Sequence, residues 1–180
     1  GSLSIDIFKP YTNHCGVLYP LQTFTKKRDL NFKEIPLCIE ATTEEGYKEI
    51  RELANSLSLH VEAISSEKRK MLHLAAVFAN NFVNHLYGVA GKILEEEDID
   101  FNILRPIIFE TAHKVMNLSP DEAQTGPAKR GDENILNVHK NLLKKHPKLK
   151  NLYSMISESI QEKNQTQKEE KKESENQSTM

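Results

Sequence analysis

Short apolar runs alternate with helical periodicity over the first 65 residues. The runs CGVLYPL (15–21) and IPLCIEA (35–41) contain few alternating polar residues, which is typical of strands buried on both faces. Residues 42–57 instead repeat apolar positions every three or four residues and begin with threonines and glutamates, which predicts a capped helix. A third run, 60–64, completes a β-α-β unit. A crossover of this length predicts parallel strands.

From residue 66 onward the pattern is helical. Apolar residues recur in steps of three and four from Met71 to Ile93 and predict one continuous helix over 66–94. At 1.5 Å per residue it would be about 43 Å long, which favours packing against a partner subunit. The same periodicity and capping signals predict further helices over about 101–118, 119–124, 132–143 and 148–161.

The two ends of the pattern define the predicted domains. Three strands are too few for a stable parallel sheet, so residues 1–65 are predicted to be part of a larger α/β domain whose other half lies upstream. Residues 66–161 are predicted to form an all-α domain, giving a mainly α chain with an α/β N-terminal part. Residues 162–180 contain no apolar side chain before the final methionine, which predicts a disordered, charged tail.

Composition narrows the functional classes. A net charge of −2 at pH 7 gives no indication of nucleic-acid binding. No apolar run approaches about 18 residues and no signal-peptide pattern is present, which predicts a cytoplasmic protein without membrane contact. The two cysteines are interpreted as buried free thiols, because they show no CxxC or metal-ligand spacing. The histidines show no HExxH pattern, and no metal site is predicted.

A polar stripe runs along the predicted long helix. On a regular helix His73, Asn80 and Asn84 fall on one line with Asn81 beside it, and alanines flank them. Buried unpaired amides cost about 1–3 kcal/mol each, so the stripe must face water, a polar partner or a ligand. Three interpretations stay open: a solvated face, the wall of a ligand site, or a polar seam in a dimer interface.

The segment YPLQTF follows the first predicted strand. Ligands of doubly wound sheets lie at the carboxyl ends of strands, which places Pro20, Gln22 and Thr23 where a ligand would bind. A plain exit from strand to loop explains the same residues equally well. The chain contains neither GxGxxG nor a Walker loop, so it shows no phosphate-binding loop of its own.

The turn AQTGPAKRGD separates two predicted helices. Gly126 is expected to adopt the left-handed conformation that ends a helix, and Asp132 is expected to cap the next one. These rules leave Thr125 and Arg130 without a structural task. Two interpretations remain. In the first, the turn only ends one helix and begins the next, and Arg130 pairs with Asp132. In the second, the turn also binds an anion.

Three motifs in order resemble a bacterial family: YPLQTF, then SSEKRKMLHLAAVFANNFVNHL, then TGPAKRGD followed by His139. Members pair an N-terminal Rossmann-like domain with a C-terminal all-α domain of unknown function and carry a provisional assignment as NADP oxidoreductases. They are more distantly similar to pyrroline-5-carboxylate reductases and deazaflavin-dependent NADP oxidoreductases.

The resemblance covers about 1–160. It implies that 1–65 are the second half of a Rossmann-like dinucleotide-binding domain with a partly preserved parallel sheet. It also implies that the helical domain, like the C-terminal domain of 6-phosphogluconate dehydrogenase, forms a homodimer through 66–94.

The resemblance also implies roles for particular residues. The cofactor is NADP, bound mainly by the part of the protein that precedes residue 1, and the active-site cleft lies between the two domains. Residues expected near the nicotinamide are Tyr19, Pro20 and Gln22, although the family usually has histidine in place of Tyr19. The lysine of related hydroxyacid dehydrogenases does not carry over, since Ala76 stands four residues before Asn80. His73 is therefore the hypothetical proton donor, with Asn80 as its catalytic partner. Residues expected to bind substrate are Asn81, Asn84, Thr125, Gly126 and Arg130, the last three in a turn that meets the substrate across the dimer.

Two hypotheses for function follow. The first is an NAD(P)-dependent oxidoreductase that transfers hydride between NADP(H) and a small, unidentified substrate, in which this chain alone is expected to be inactive. The second is a non-catalytic dimeric scaffold that keeps a degenerate Rossmann half. An intact GxGxxG motif upstream of residue 1 would favour the enzyme, and its absence would favour the scaffold.

Overall fold

The computed structural model describes residues 1–26 and 28–177. The chain divides into two compact units: the first is Gly1–Phe101 and the second begins at Asn102. This division differs from the boundary near residue 65 predicted from the sequence, because hydrogen bonds and an ion pair tie the start of the long helix to the N-terminal segment and the sheet. No helix in the described part of the chain combines the length and apolar character needed to cross a bilayer.

A three-stranded sheet of mixed direction forms the α/β part of the first unit. Its strands are β1 (Gly16–Pro20), β2 (Leu37–Ala41) and β3 (Val61–Ala63), in the spatial order β1-β2-β3. Strands β2 and β3 are parallel and are linked by helix α1 (Glu44–Leu57), as the β-α-β pattern predicts. The fold class predicted from the sequence, mainly α with an α/β N-terminal part, is confirmed.

Strand β1 departs from the predicted parallel sheet. It pairs antiparallel with β2, with Tyr19 opposite Cys38. The described residues of the connection between the two strands form one 3₁₀ turn, Phe32–Glu34, and no crossover helix of the kind that parallel neighbours require. Strand β1 is also only half-buried, whereas the first three residues of β2 are fully buried. Burial on both faces, predicted for the first two runs, therefore holds for β2 alone.

The core of the first unit lies between β2 and α1. Leu37 and Ile39 of β2 pack with Ile35 and with Ala54 of α1, and each of these side chains is at most 1% exposed. The Thr43 hydroxyl accepts a hydrogen bond from the Gly46 amide at 3.1 Å and caps α1. Capping and apolar burial thus fix the helix that holds β2 and β3 in parallel register.

The long helix predicted over 66–94 is present but is interrupted by a change of helical type. It begins as α2 (Ser66–Ala76), continues as a π-helical segment (Val77–Phe82) and ends as α3 (Val83–Glu95). The Ser65 hydroxyl accepts from the Lys68 amide and caps α2. A π-helical turn bonds each amide to the carbonyl five residues earlier, so it widens the helix locally.

The second unit is helical throughout its described elements. A 3₁₀ turn, Phe101–Leu104, leads into it. The helices that follow are α4 (Arg105–Lys114), α5 (Pro120–Ala123), α6 (Pro127–Arg130), α7 (Glu133–Leu142) and α8 (Pro147–Gln177), with a second 3₁₀ turn at Leu143–Lys145. Ala128 of α6 and Leu136 of α7 are buried, which makes this short-helix region the packed part of the unit. A reciprocal capping box between Ser119 and Glu122 begins α5.

Helix α8 differs from the predicted disordered tail. Its described part continues from 162 to Gln177, while residues 178–180 lie outside the described residues. Glu, Lys and Gln dominate this stretch and all have high helix propensity. The helix is also tied to the rest of the unit: Asn164 Nδ2 donates to the Lys129 carbonyl at 2.9 Å and Gln167 Nε2 donates to Asp121 at 2.8 Å. Low hydrophobicity excludes a buried core here, but it does not exclude a solvated helix.

Candidate functional site

A cleft of about 420 Å³ lies in the first unit between the exit of β1 and the long helix. Residues from the β1 exit are Tyr19, Leu21, Gln22 and Thr23; those from the long helix are Leu72, His73, Ala75, Ala76, Val77, Ala79, Asn80 and Asn81. Five of the predicted site residues therefore meet in one place: Tyr19, Gln22, His73, Asn80 and Asn81. Three members of the polar stripe on the long helix, His73, Asn80 and Asn81, thus line this cleft.

Tyr19 and His73 form the most specific contact in the cleft. The Tyr19 hydroxyl lies 3.0 Å from His73 Nδ1, and the two rings meet edge to face at 77°. Burial and the neighbouring Cys38 raise the pKa of the Tyr19 phenol above its ordinary value, so the hydroxyl keeps its proton at neutral pH. The bond to Nδ1 leaves Nε2 as the ring nitrogen available to a ligand.

The π-helical segment explains which asparagines reach the cleft. Asn80 and Asn81 lie within it and line the cleft, whereas Asn84, one turn further on in α3, is not a lining residue. The wider π turn delays the angular position of later residues relative to a regular helix, so the line predicted through His73, Asn80 and Asn84 does not persist. Turns of this kind occur frequently at functional sites.

A buried ion pair lies one helical turn before His73. The Arg69 side chain is 1% exposed, and its Nη1 donates to Glu40 Oε2 at 2.6 Å. Its Nη2 donates to the Leu3 carbonyl at 2.8 Å. Ser66 donates to Glu40 from both its amide (2.8 Å) and its hydroxyl (2.7 Å). This network joins the N-terminal segment, β2 and α2, and so fixes the helix that carries His73.

The charge of Glu40 follows from opposing effects. Burial by itself raises the pKa of the Glu40 carboxyl, but the hydrogen bonds from Ser66 and Arg69 outweigh burial and hold the pKa below its ordinary value. Glu40 is therefore ionised at neutral pH and neutralises the Arg69 guanidinium beside it.

Other predicted site residues lie outside the cleft. Pro20 ends β1 and pairs in register with Leu37, and it is not a lining residue. Thr125, Gly126 and Arg130 belong to the second unit. Their predicted contact with substrate therefore stays a prediction.

The turn before α7 uses its glycines differently from the prediction. Gly131, with φ of 70°, is the left-handed residue that ends α6, whereas Gly126 has φ of 104° and precedes the first residue of that helix. The predicted helix-ending role of Gly126 is therefore wrong, because the intervening residues PAKR form a helical turn of their own. Both glycines hold backbone conformations that other residues rarely adopt.

The predicted cap of α7 is confirmed. Asp132 Oδ1 accepts a hydrogen bond from the Ile135 amide at 3.2 Å. Arg130 is exposed, and no ion pair joins it to Asp132 among the described residues. The scaffold role proposed for Arg130 through that pair thus finds no support, and an anion-binding role stays untested.

Three functional features were missed at the sequence level. These are the Tyr19–His73 bond, the π-helical segment and the Glu40–Arg69 pair. The Tyr19–His73 bond and the Glu40–Arg69 pair join residues that are far apart in the chain, and local sequence patterns do not predict such contacts. The glutamate within the apolar run IPLCIEA was nevertheless visible as a charge in an otherwise apolar context. Arg69 gave no such signal, because it stands among the charged residues EKRK.

Comparison with known proteins places the chain in a family. The model of a family described as "Domain of unknown function (DUF2520)" matches residues 35–160. The chain belongs to this family. The resemblance identified from three sequence motifs is confirmed by this match and by the solved structures below. The matched range contains His73, Asn80 and Asn81 but begins after Tyr19 and Gln22.

Two solved structures resemble this family member over most of its length. The crystal structure of "putative NADP oxidoreductase BF3122" from Bacteroides fragilis is 44% identical with a TM-score of 0.86, covering 89% of this chain and 62% of that protein. Protein TM1727 from Thermotoga maritima is 25% identical with a TM-score of 0.76, covering 93% of this chain and 67% of that one. This chain therefore spans less than two thirds of the Bacteroides protein. Among curated proteins no similar sequence was found.

Proposed function

We propose that this chain provides the substrate-facing part of an NAD(P)-dependent oxidoreductase that transfers hydride between NADP(H) and a small carbonyl or imine substrate. The observation that carries the proposal is the Tyr19–His73 hydrogen bond in a cleft also lined by Asn80 and Asn81. Similarity to the Bacteroides fragilis protein supports the reaction class.

The residues of the cleft fit the reacting end of such a cofactor. Leu21, Leu72 and the alanines offer an apolar wall for a nicotinamide ring, and the amide side chains offer partners for its carboxamide. The described cleft does not account for binding of the dinucleotide phosphates. Because the 180 residues contain no GxGxxG motif, a dinucleotide needs a phosphate-binding loop that this sequence does not include.

Within this proposal the side chains have separate tasks. Bound NADPH supplies the hydride. In its doubly protonated form His73 gives the Nε2 proton to the substrate oxygen or nitrogen and becomes neutral, while its Nδ1–H donates to the Tyr19 hydroxyl oxygen. That bond fixes the orientation of the imidazole ring. Asn80 and Asn81 orient the substrate through amide hydrogen bonds, and the apolar side chains of the cleft contact the rest of the substrate.

Nucleotide binding tests this proposal directly. Titration of the protein in its complete natural form with NADPH and NADH, followed by nucleotide fluorescence, is expected to give micromolar binding of at least one of them. The 180-residue chain alone serves as the control and is expected to bind neither tightly, since it lacks a phosphate loop. If the complete protein bound neither nucleotide below millimolar concentration, the non-catalytic scaffold would replace the enzyme.

We also propose that the chain forms a homodimer through residues 66–94. Large apolar side chains along this helix are exposed: Met71 (64%), Leu74 (49%), Phe78 (61%), Phe82 (48%), Leu86 (37%) and Ile93 (43%). Phe78 and Phe82 also stack edge to face with ring centroids 4.8 Å apart. A continuous apolar stripe of this size is rarely left open to water in a monomer, which favours a second copy as its cover.

Charging this stripe is expected to separate the subunits. The 180-residue chain should have the mass of a dimer by light scattering at micromolar concentration, and Phe82→Glu should have the mass of a monomer. Glu95→Lys, at an exposed polar position near the end of α3, is the control and should remain dimeric. Circular dichroism should show equal helix content in all three proteins. A monomeric unmodified chain would contradict the proposed dimer.

A further inference from the structure

We infer that the C-terminal part of α8, residues 162–177, is a reversible strap that holds helix α6 in one position. When the strap unwinds, α6 and its exposed cation Arg130 become free to move. The family match ends at residue 160, so the strap lies outside the range that the family model covers. The strap goes beyond the proposed hydride transfer and does not depend on it, because the contacts that define it lie within the second unit.

Helix α6 has a glycine hinge at each end. Gly126, with φ of 104°, precedes the helix, and Gly131, with φ of 70°, follows it. Glycine rotates between such conformations and ordinary ones at little cost. Among the described residues, no atom beyond the adjoining chain lies within 4 Å of the place that a β-carbon would take at either glycine. Neighbouring side chains therefore leave both hinges free to rotate, and α6 depends on contacts elsewhere to keep its position.

The strap is fastened at two residues, Lys129 of α6 and Asp121 of α5. Asn164 Nδ2 donates to the Lys129 carbonyl at 2.9 Å. One carboxylate oxygen of Asp121 accepts from Gln167 Nε2 at 2.8 Å, and the other oxygen pairs with Lys163 Nζ. Lys129 Nζ in turn donates to the Asp121 carbonyl at 3.5 Å. The strap therefore holds α6 both directly and through α5.

These contacts are weak enough to open. Residues 162–177 contain no apolar side chain, so unwinding them gives up little apolar burial. The side chains of the Lys163–Asp121 pair are 62% and 38% exposed, and pairs this exposed contribute little to stability. Earlier in α8, by contrast, Ser157 is buried and Ile160 is half-buried. Because helix ends open locally at low free energy, the strap should unwind while the rest of α8 stays in place.

Hydrogen exchange of the 180-residue chain tests the strap. The amides of Arg130, Gly131 and Asp132 report on α6, because they donate to carbonyls at its start and within it. Alanine keeps a helix intact and removes the three side-chain contacts of the strap. The strap variant carries Lys163→Ala, Asn164→Ala and Gln167→Ala. Exchange of the three amides is expected to be about tenfold faster in this variant, since three weak contacts are lost together.

A matched control replaces three exposed residues of the same helix, one of them a lysine: Gln165→Ala, Thr166→Ala and Lys168→Ala. It is expected to leave exchange in α6 unchanged, and the amides of α7 should exchange at the same rate in all three proteins. Unaltered exchange of α6 in the strap variant would overturn the inference, as would equal acceleration in the control. Equal acceleration of α7 would also overturn it, because the contacts would then stabilise the whole unit.

Salt supplies a second measurement that needs no change of fold. In 1 M NaCl the screening length is about 3 Å, which weakens the exposed Lys163–Asp121 pair. Exchange of the α6 amides in the unmodified chain, relative to those of α7, is expected to be about twofold to threefold faster than at low salt. The strap variant lacks this pair and should not respond. An equal response in the two proteins, or a response in neither, would overturn the strap. NADPH binding enters none of these measurements, so the strap and the proposed function can fail separately.

Discussion

Replacing Arg69 by methionine is expected to lower the free energy of unfolding of the first unit by about 3–5 kcal/mol. Methionine fills similar space but leaves the Glu40 carboxylate, which is 17% exposed, without its cation. The Leu3 carbonyl loses its donor as well. Hydrogen exchange of the β2 amides measures the effect, because β2 is the buried centre of this unit.

Two controls separate charge from packing. Lys70→Met, on the neighbouring residue with a surface ion pair to Glu67, is expected to change stability by about 0.5 kcal/mol or less. Combining Arg69→Met with Glu40→Gln removes the uncompensated charge and should recover part of the loss. If Arg69→Met alone were as stable as the unmodified chain, the ion pair would have no structural role.

The pH dependence of the same pair has a definite sign. The folded-state pKa of Glu40 is lowered below its ordinary value of 4.5, so the unfolded chain binds the proton more readily. The contribution of Glu40 is therefore complete above about pH 4.5 and is lost as the pH falls through the folded-state pKa. The unmodified chain should lose this stability on acidification, and the double variant should not.

Replacing His73 by alanine is expected to lower kcat by about 10²–10⁴-fold, the usual contribution of a positioned proton donor. The assay is NADPH oxidation by the complete protein with whichever carbonyl or imine substrate supports it. The Kd for NADPH should change little, since the side chain is proposed to act on the substrate. Turnover that survives His73→Ala would remove His73 from the mechanism.

Companion variants test the role of Tyr19. Tyr19→Phe keeps the ring but removes the hydroxyl that lies 3.0 Å from His73 Nδ1. It should lower kcat less than His73→Ala does, and in the double variant the two losses should not add, because both residues act through one imidazole. His60→Ala, at an exposed histidine outside the cleft, is the control and should leave kcat unchanged.

The local sequence pattern was sufficient to predict most of the helices and strands. Thr43 and Asp132 cap the helices that their positions predict, because capping depends only on residues within one turn. The β-α-β unit from β2 to β3 was predictable for the same reason. The antiparallel direction of β1 could not be predicted from the sequence, because it depends on how the connection over 21–36 returns to the sheet.

The candidate site was predictable in part. A β1 exit and a polar stripe on the long helix both pointed to ligand contacts, and the structure brings Gln22, His73 and Asn80 together in one cleft. Asn84 was placed on the same line by regular helical geometry, but it does not line the cleft, because nothing in VFANNF signals a π-helical turn. Its contact with substrate stays a prediction. The contact between Tyr19 and His73 spans 54 residues and depends on tertiary packing.

The π-helical segment Val77–Phe82 also affects how relatives should be aligned. A π turn is equivalent to one residue inserted into an α-helix, so a relative that lacks this residue would have an unbroken helix here. An alignment without a gap across this segment would then match α3 residues that face different directions, separated by about 100° around the axis. Identity counted across such an alignment would compare residues of the exposed apolar stripe with residues on another face of the relative's helix.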